Sequence, residues 1–173
     1  MLNQKNPKDS LVVQSNLVLP NDTNMLNNLM GGRLLHQMDI VAAISAQRHS
    51  QNAVVTASVD HVSFSHGISL GSIITVKAWV TRSFNTSMEV KVEVFTENIP
   101  DNQKLFKSNE AYFTFVGVDK QLKPIKVPSI LPVTLEDELL FEGALRRRQF
   151  RLLVAGKIEP NEAPELRSFL DLK

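Results

Sequence analysis

The feature that most constrains this chain is residues 33–48, RLLHQMDIVAAISAQR, a run of good helix formers with no glycine or proline. Leu34, Leu35, Met38, Ile40, Val41, Ala42, Ala43, Ile44 and Ala46 leave hardly a side of that helix polar. A helix apolar on nearly every side is a buried helix, so the rest of the chain must supply something to bury it.

The following residues supply it. Residues 54–62 alternate Val55, Ala57 and Val59 against Thr56, Ser58 and Asp60. Residues 73–82 set Ile74, Val76, Ala78 and Val80 against Thr75, Lys77, Trp79 and Thr81. Residues 88–97 set Met88, Val90, Val92 and Val94 against Glu89, Lys91 and Glu93, and residues 110–118 complete the set. A two-residue period marks half-buried strands. Gly71 with Ser72, and residues 83–86, supply turns, and no helical segment intervenes, so antiparallel pairing is expected. A further strand over 11–19 stops at Pro20. Residues 135–154 read as a second helix, with Thr134 as N-cap and acidic residues ahead of arginines, the order that suits the helix dipole.

The expected fold is therefore α+β: a curved antiparallel sheet wrapped around one long central helix, plus a C-terminal helix, which is the hotdog architecture. Residues 1–10 are expected to be a flexible N-terminus, 11–134 the hotdog domain and 135–173 a C-terminal helix and loosely attached tail. Pro124, Pro128 and Pro132 make residues 120–134 linker-like.

Composition narrows the function. With 19 basic and 18 acidic residues the net charge is +1, which argues against a nucleic-acid partner held by bulk electrostatics. The absence of cysteine removes disulfides, iron–sulfur clusters, thiolate zinc sites and cysteine nucleophiles. Residues 1–10 lack the apolar core of a leader, and the apolar stretch near 38–46 is interrupted by Asp39 and Ser45, far short of the ~20 residues of a bilayer span. A cytoplasmic protein with no membrane partner is expected.

Asp39 does not fit its helix. No Lys or Arg lies one turn away, and a lone carboxylate among apolar neighbours is costly, so it reads as a base or nucleophile unless it reaches solvent or a distant Arg. Gly31 and Gly32 stand just before the helix, where free N–H groups and the positive dipole end can polarise a carbonyl, or simply turn the chain. A carbonyl polariser and a carboxylate on one helix suit acyl transfer to water. Asn24, in an Asn-rich loop, is either a turn residue or a partner for a water or a substrate carbonyl. His36, His49, His61 and His66 lack metal-ligand spacing, and no metal or resident cofactor is expected. Arg146, Arg147, Arg148 and Arg151 read as a solvated helix face, with phosphate contact as the lesser reading.

The segment DTNMLNNLMGGRLLHQMDIVAAISAQRH (residues 22–49) resembles the acyl-CoA thioesterase family of hotdog proteins, in its YciA-like and brain acyl-CoA hydrolase-like branch. The shared pattern is Asp22-Thr23-Asn24, Gly31-Gly32 and Met38-Asp39, and TASVDHVSF (56–64) and SMEVKVEV (87–94) are similar as well. The resemblance covers about residues 10–150. It implies hydrolysis of acyl-CoA to free CoA and a carboxylic acid, with Asp39 as the catalytic carboxylate. Asn24 then assists from a facing subunit, the Gly31-Gly32 helix start binds the thioester carbonyl, and CoA lies along a subunit interface. A homo-oligomer is implied, hotdog dimers joined into a hexamer as a trimer of dimers.

Other hotdog functions fit less well. A dehydratase or hydratase typically needs a histidine paired with an acid, and the loop before the helix offers asparagines. An acyl-CoA sensor would carry a basic helical DNA-binding segment, which the N-terminus lacks. On a nearly neutral protein, the charged nucleotide of CoA must be held by a few local donors; Ser63, Arg82, Thr86 and Ser87 are the candidates, though Thr86 and Ser87 fit a turn and Arg82 a solvated sheet face.

Overall fold

The computed structural model describes residues 4–60, 62, 64, 66–100 and 102–171. Its elements in chain order are β1 (Val12–Leu17), α1 (Gly31–Ser50), β2 (Ala53–Asp60), β3 (Ile73–Ser83), β4 (Ser87–Asn98), β5 (Gln103–Val118), α2 (Leu135–Val154) and α3 (Pro164–Asp171). They fall into two compact units, the first ending at Leu131 and the second beginning at Pro132.

In the first unit the strands form one antiparallel sheet in the order β1-β3-β4-β5-β2. Helix α1 touches all five strands. Five strands span roughly 19 Å, whereas a helix with its side chains is about 10–12 Å wide, so the sheet reaches the helix from every strand only by closing around it. This is the expected hotdog arrangement. The core lies between them. Ile74, Val76, Ala78 and Val80 of β3, Met88, Val90, Val92 and Val94 of β4, and Ala111, Phe113 and Phe115 of β5 face Met38, Val41, Ala42 and Ala46, all at most 1% exposed.

Three expectations need correction. First, α1 is not covered all round. Its buried residues, Leu34, Met38, Val41, Ala42, Ser45, Ala46 and His49, form one stripe at helical spacing, while Ile40 (40% exposed) and Ile44 (37%) face away from the sheet. One sheet can cover only one side of a helix. Second, Glu89 and Lys91 alternate with the core residues as expected but are buried, not solvated. They are satisfied locally: Thr81 Oγ1 donates to Glu89 Oε1 at 2.6 Å, and Lys91 Nζ lies 3.0 Å from Glu93 Oε1 and over the Trp79 ring. Third, the N-terminal residues are tied down. Lys5 donates its backbone N–H to Ser129 and its ammonium to the carbonyls of Arg48 and His49, where a cation suits the C-terminal end of α1. Ser10 is fully buried and accepts from the Val80 N–H.

The proline-rich connection is also fixed. Val127 N donates to Asn85 O, Ile130 N to Ser83 Oγ, and the His49 ring meets Pro128 O at 2.7 Å. In the second unit, α2 begins as expected with a capping box between Thr134 and Asp137. The tail is docked, not loose: Gln149 of α2 bonds Glu165 and accepts from Leu166 N at 2.9 Å, and Arg146 lies over the Phe169 ring. Arg146, Arg147, Arg148 and Arg151 are half-buried, so they do not form the open cationic face expected of them. Burial pushes Arg148 below the usual guanidinium range, and neighbouring Arg151 adds to this.

Candidate active site

The loop before α1 is built on asparagine chemistry. Asn24 Oδ1 accepts from Leu26 N at 2.9 Å and from Asn28 N at 3.2 Å, while its backbone N–H donates to Asn28 O. Asn27 closes this turn at φ 54°, a left-handed conformation that asparagine tolerates. The turn role proposed for Asn24 is thus present within one chain, and its side-chain oxygen is already occupied. Met30 N reaches back to Asp22 O, and the Arg33 Nε to Asp22 Oδ1 distance is 3.7 Å, fixing where the helix begins.

That helix start is open. Met30 is the N-cap but offers no capping side chain, and among the described residues the N–H groups of Gly31 and Gly32 have no acceptor. A Cβ on Gly31 would stand 3.2 Å from Phe64 Cζ, whereas one on Gly32 would meet nothing within 4 Å. Gly31 therefore serves a close approach and Gly32 faces open space.

Asp39 lies two turns further along, half-buried, on the side of α1 toward the edge strand β2. Among the described residues it has no ion pair; Thr56 Oγ1 donates to its Oδ1 at 3.0 Å. Thr56 was not singled out from sequence because it alternates with Ser58 and Asp60, a pattern that reads as a solvated face. The β2–β5 register passes over Ala57, pairing Thr56 with Phe115 but Ser58 with Thr114. Thr56 thus shares the core-side face of Phe115 and reaches the helix, while Ser58 falls on the other side. Val55 and Val59, the apolar members of the pattern, are 44% and 38% exposed.

The other candidates sit apart. Among the described residues Asn24 makes no hydrogen bond to Asp39. Gly31 and Asp39 are separated by eight helical steps, about 12 Å along the axis. Both stand on one unbroken helix. Arg82, whose guanidinium lies 5.5 Å from the Phe84 ring centroid, and Thr86 flank the tight β3–β4 turn, in which Phe84 N donates to Ser87 O. Ser87 is buried. Ser63 and His61 lie outside the described residues. His49 is buried and structural, His66 stacks edge-on with Phe106, and His36 is exposed.

Residues 26–101 match the model of the thioesterase superfamily. YkhA of Bacillus subtilis, named an uncharacterized acyl-CoA thioester hydrolase, is 37% identical over 144 residues, 83% of each chain. The chain belongs to the thioesterase superfamily. Two longer superfamily relatives match as well. Acyl-coenzyme A thioesterase 11 of Mus musculus is 38% identical over 90% of this chain and 25% of its own length. The cytosolic acyl coenzyme A thioester hydrolase of Rattus norvegicus is 36% identical over 90% of this chain, which spans 42% of that protein. Among solved superfamily structures, an apo-hexameric acyl-CoA thioesterase superposes with a TM-score of 0.84 at 37% identity, over 88% of this chain and 97% of that one. The acyl-CoA hydrolase of Staphylococcus aureus, solved with butyryl coenzyme A and coenzyme A, superposes at 0.82 with 30% identity over 98% and 99% of the two chains. That enzyme has also been solved with an aspartate, a threonine and an asparagine each replaced by alanine.

Proposed function

We propose that this protein hydrolyses acyl-CoA thioesters to free CoA and a carboxylic acid. The observation that carries the reading is the Asp39–Thr56 pair on a helix whose start is preceded by the Asn24 loop. The asparagine, aspartate and threonine replaced in the Staphylococcus aureus hydrolase follow one another with the same spacing along its chain as Asn24, Asp39 and Thr56 do here.

Thr56 holds Asp39 Oδ1 and leaves Oδ2 for chemistry. As a base, Oδ2 takes a proton from water while the water oxygen bonds to the thioester carbon. As a nucleophile, it bonds to that carbon itself, and water then cleaves the anhydride. In both routes the C–S bond breaks, its electron pair stays on sulfur, and the thiolate leaves to be protonated as CoA. The negative charge growing on the carbonyl oxygen goes to the Gly31 and Gly32 N–H groups, which need no reorganisation to receive it. The reaction needs water and this chain's own groups; CoA enters only as part of the substrate.

A working site combines Asp39 of one chain with Asn24 of a second copy, as the resemblance to the family implies. Exposed Ile40 and Ile44 of α1, with Val55 and Val59 on the unpaired edge of β2, provide the apolar surface that such a dimer would cover. A trimer of these dimers would make a hexamer, the state of the apo thioesterase above. The nucleotide of CoA goes to the β3–β4 turn, where Arg82, Thr86 and Ser87 stand one row along the sheet from Thr56, through Met88 and Phe115. A cytoplasmic setting is part of the same proposal, in keeping with the cytosolic rat relative.

The test is release of free CoA thiol from acyl-CoAs of graded chain length, by the wild type and by Asp39→Asn. Turnover by the wild type alone supports the reading. Tight acyl-CoA binding without release by either protein would turn it into an acyl-CoA sensor.

A further inference from the structure

Phe64 follows the end of β2 and is not assigned by the reading above. Its ring tip rests on the first residue of α1: an added Cβ at Gly31 would stand 3.2 Å from Phe64 Cζ and 3.4 Å from both Cε atoms. The chain beyond it is anchored, since Leu29 N donates to Ile68 O and Leu70 N to Asn27 O. The ring is placed from both sides, yet 53% of the residue remains exposed. The half-exposed ring thus stands beside two amides that have no acceptor among the described residues.

We propose that Phe64 is a specificity-determining residue, the apolar wall against which the acyl methylenes nearest the thioester carbonyl lie. The proposal rests on the hydrolase reading and deepens it. A carbonyl oxygen bound at Gly31 and Gly32 places the atoms on either side of it within reach of this ring. One arm of the substrate is a chain of methylenes, and the other carries amides and phosphates. A phenyl ring offers no hydrogen-bonding atom, so it complements the methylene arm. The side of Gly32, where an added Cβ would meet nothing within 4 Å, stays open for the oxygen. With glycine at position 31 the ring tip rests against the helix start, where a Cβ would crowd it.

The experiment measures kcat/KM for acetyl-, butyryl-, hexanoyl- and octanoyl-CoA with the wild type, Phe64→Ala and Phe64→Leu, each checked by thermal melting. Each methylene laid on an apolar surface is worth roughly four-fold in binding. Phe64→Ala is therefore expected to lose about ten-fold or more on hexanoyl- and octanoyl-CoA, carried by KM, and less than about three-fold on acetyl-CoA. Phe64→Leu should fall between the two. An equal loss at every chain length, or an unchanged profile, overturns the proposal while leaving the hydrolase reading intact. Absence of CoA release by the wild type from every substrate overturns both.

Discussion

Thr56 on the edge strand β2 donates a 3.0 Å hydrogen bond to Asp39 Oδ1 on the central helix. It is the only side-chain bond that Asp39 makes among the described residues, so one hydroxyl sets the direction of the carboxylate. Thr56→Val keeps the shape and removes the donor. A hydrogen bond to a charged group is worth about 1.5–3 kcal/mol, so turnover is expected to fall on the order of ten- to a hundred-fold. Thr56→Ser should retain most of it. Equal activity in Thr56→Val and wild type would remove Thr56 from the site.

Asp39→Asn should lose on the order of 100-fold or more in kcat, the scale of a positioned acid–base group. The fold should persist, because the half-buried Asp39 has no ion pair to lose among the described residues. A folded Asp39→Asn protein with near wild-type turnover would falsify the assignment.

The proposed site takes Asn24 and Asp39 from two copies of the chain, and mixing experiments test that directly. Asn24→Ala and Asp39→Ala homo-oligomers are each expected to be nearly inactive. After subunit exchange, mixed dimers regain one site in which both residues are intact, and activity should return to a fraction of the wild type. If verified exchange restores nothing, the two residues act within one chain or Asn24 only closes its turn.

Arg82 and Thr86 stand at a turn whose backbone is pinned by Phe84 N to Ser87 O, Val127 N to Asn85 O and Gly117 N to Thr86 O. If Arg82 holds the 3′-phosphate, free CoA should inhibit better than dephospho-CoA, and Arg82→Ala should lose that preference while keeping kcat at saturation. Inhibition constants for the two nucleotides, measured on both proteins, decide it. An unchanged preference would shift attention to Arg146, Arg147 and Arg148.

His49 is fully buried, with Nε2 against Pro128 O and Nδ1 without a partner among the described residues. The bond to a carbonyl requires the neutral ring to donate from Nε2. Burial pushes its pKa below the usual imidazole value; the Pro128 bond and Asp9 raise it in part, and Lys5 lowers it further. The unfolded state, titrating near 6.5, therefore binds the extra proton first as pH falls. The stability associated with neutral His49 is complete above about pH 6.5 and is lost as pH drops from there toward the folded pKa. Urea midpoints at pH 7.5 and 5.5 should show a larger acid loss in the wild type than in His49→Gln. Equal losses would rule out His49 as a source of the pH dependence.

Local pattern was enough for most of the elements. The helix expected over 33–48 runs from Gly31 to Ser50, and the one expected over 135–154 is α2 residue for residue. The valines of β3 and β4 face the core as their period required, because a two-residue period needs only neighbours to express itself. Asp39 also stood out, since a carboxylate without a cation one turn away is visible in the sequence alone. Tertiary structure decided what periodicity cannot carry. A bulge at Ala57 puts Thr56 on the face of Phe115 and Ser58 on the other, so the two do not share the side that strict alternation gives them, and nothing local announces a one-residue slip in register. Glu89 and Lys91 are buried on the other face of the central strand β4, which a two-residue period alone does not announce. The tail docks through Gln149, whose partners Glu165 and Leu166 lie beyond two prolines, so only the folded chain brings them together. The hydrogen bond from Thr56 to Asp39 joins residues 17 positions apart on a strand and a helix, so it too exists only once the chain has folded.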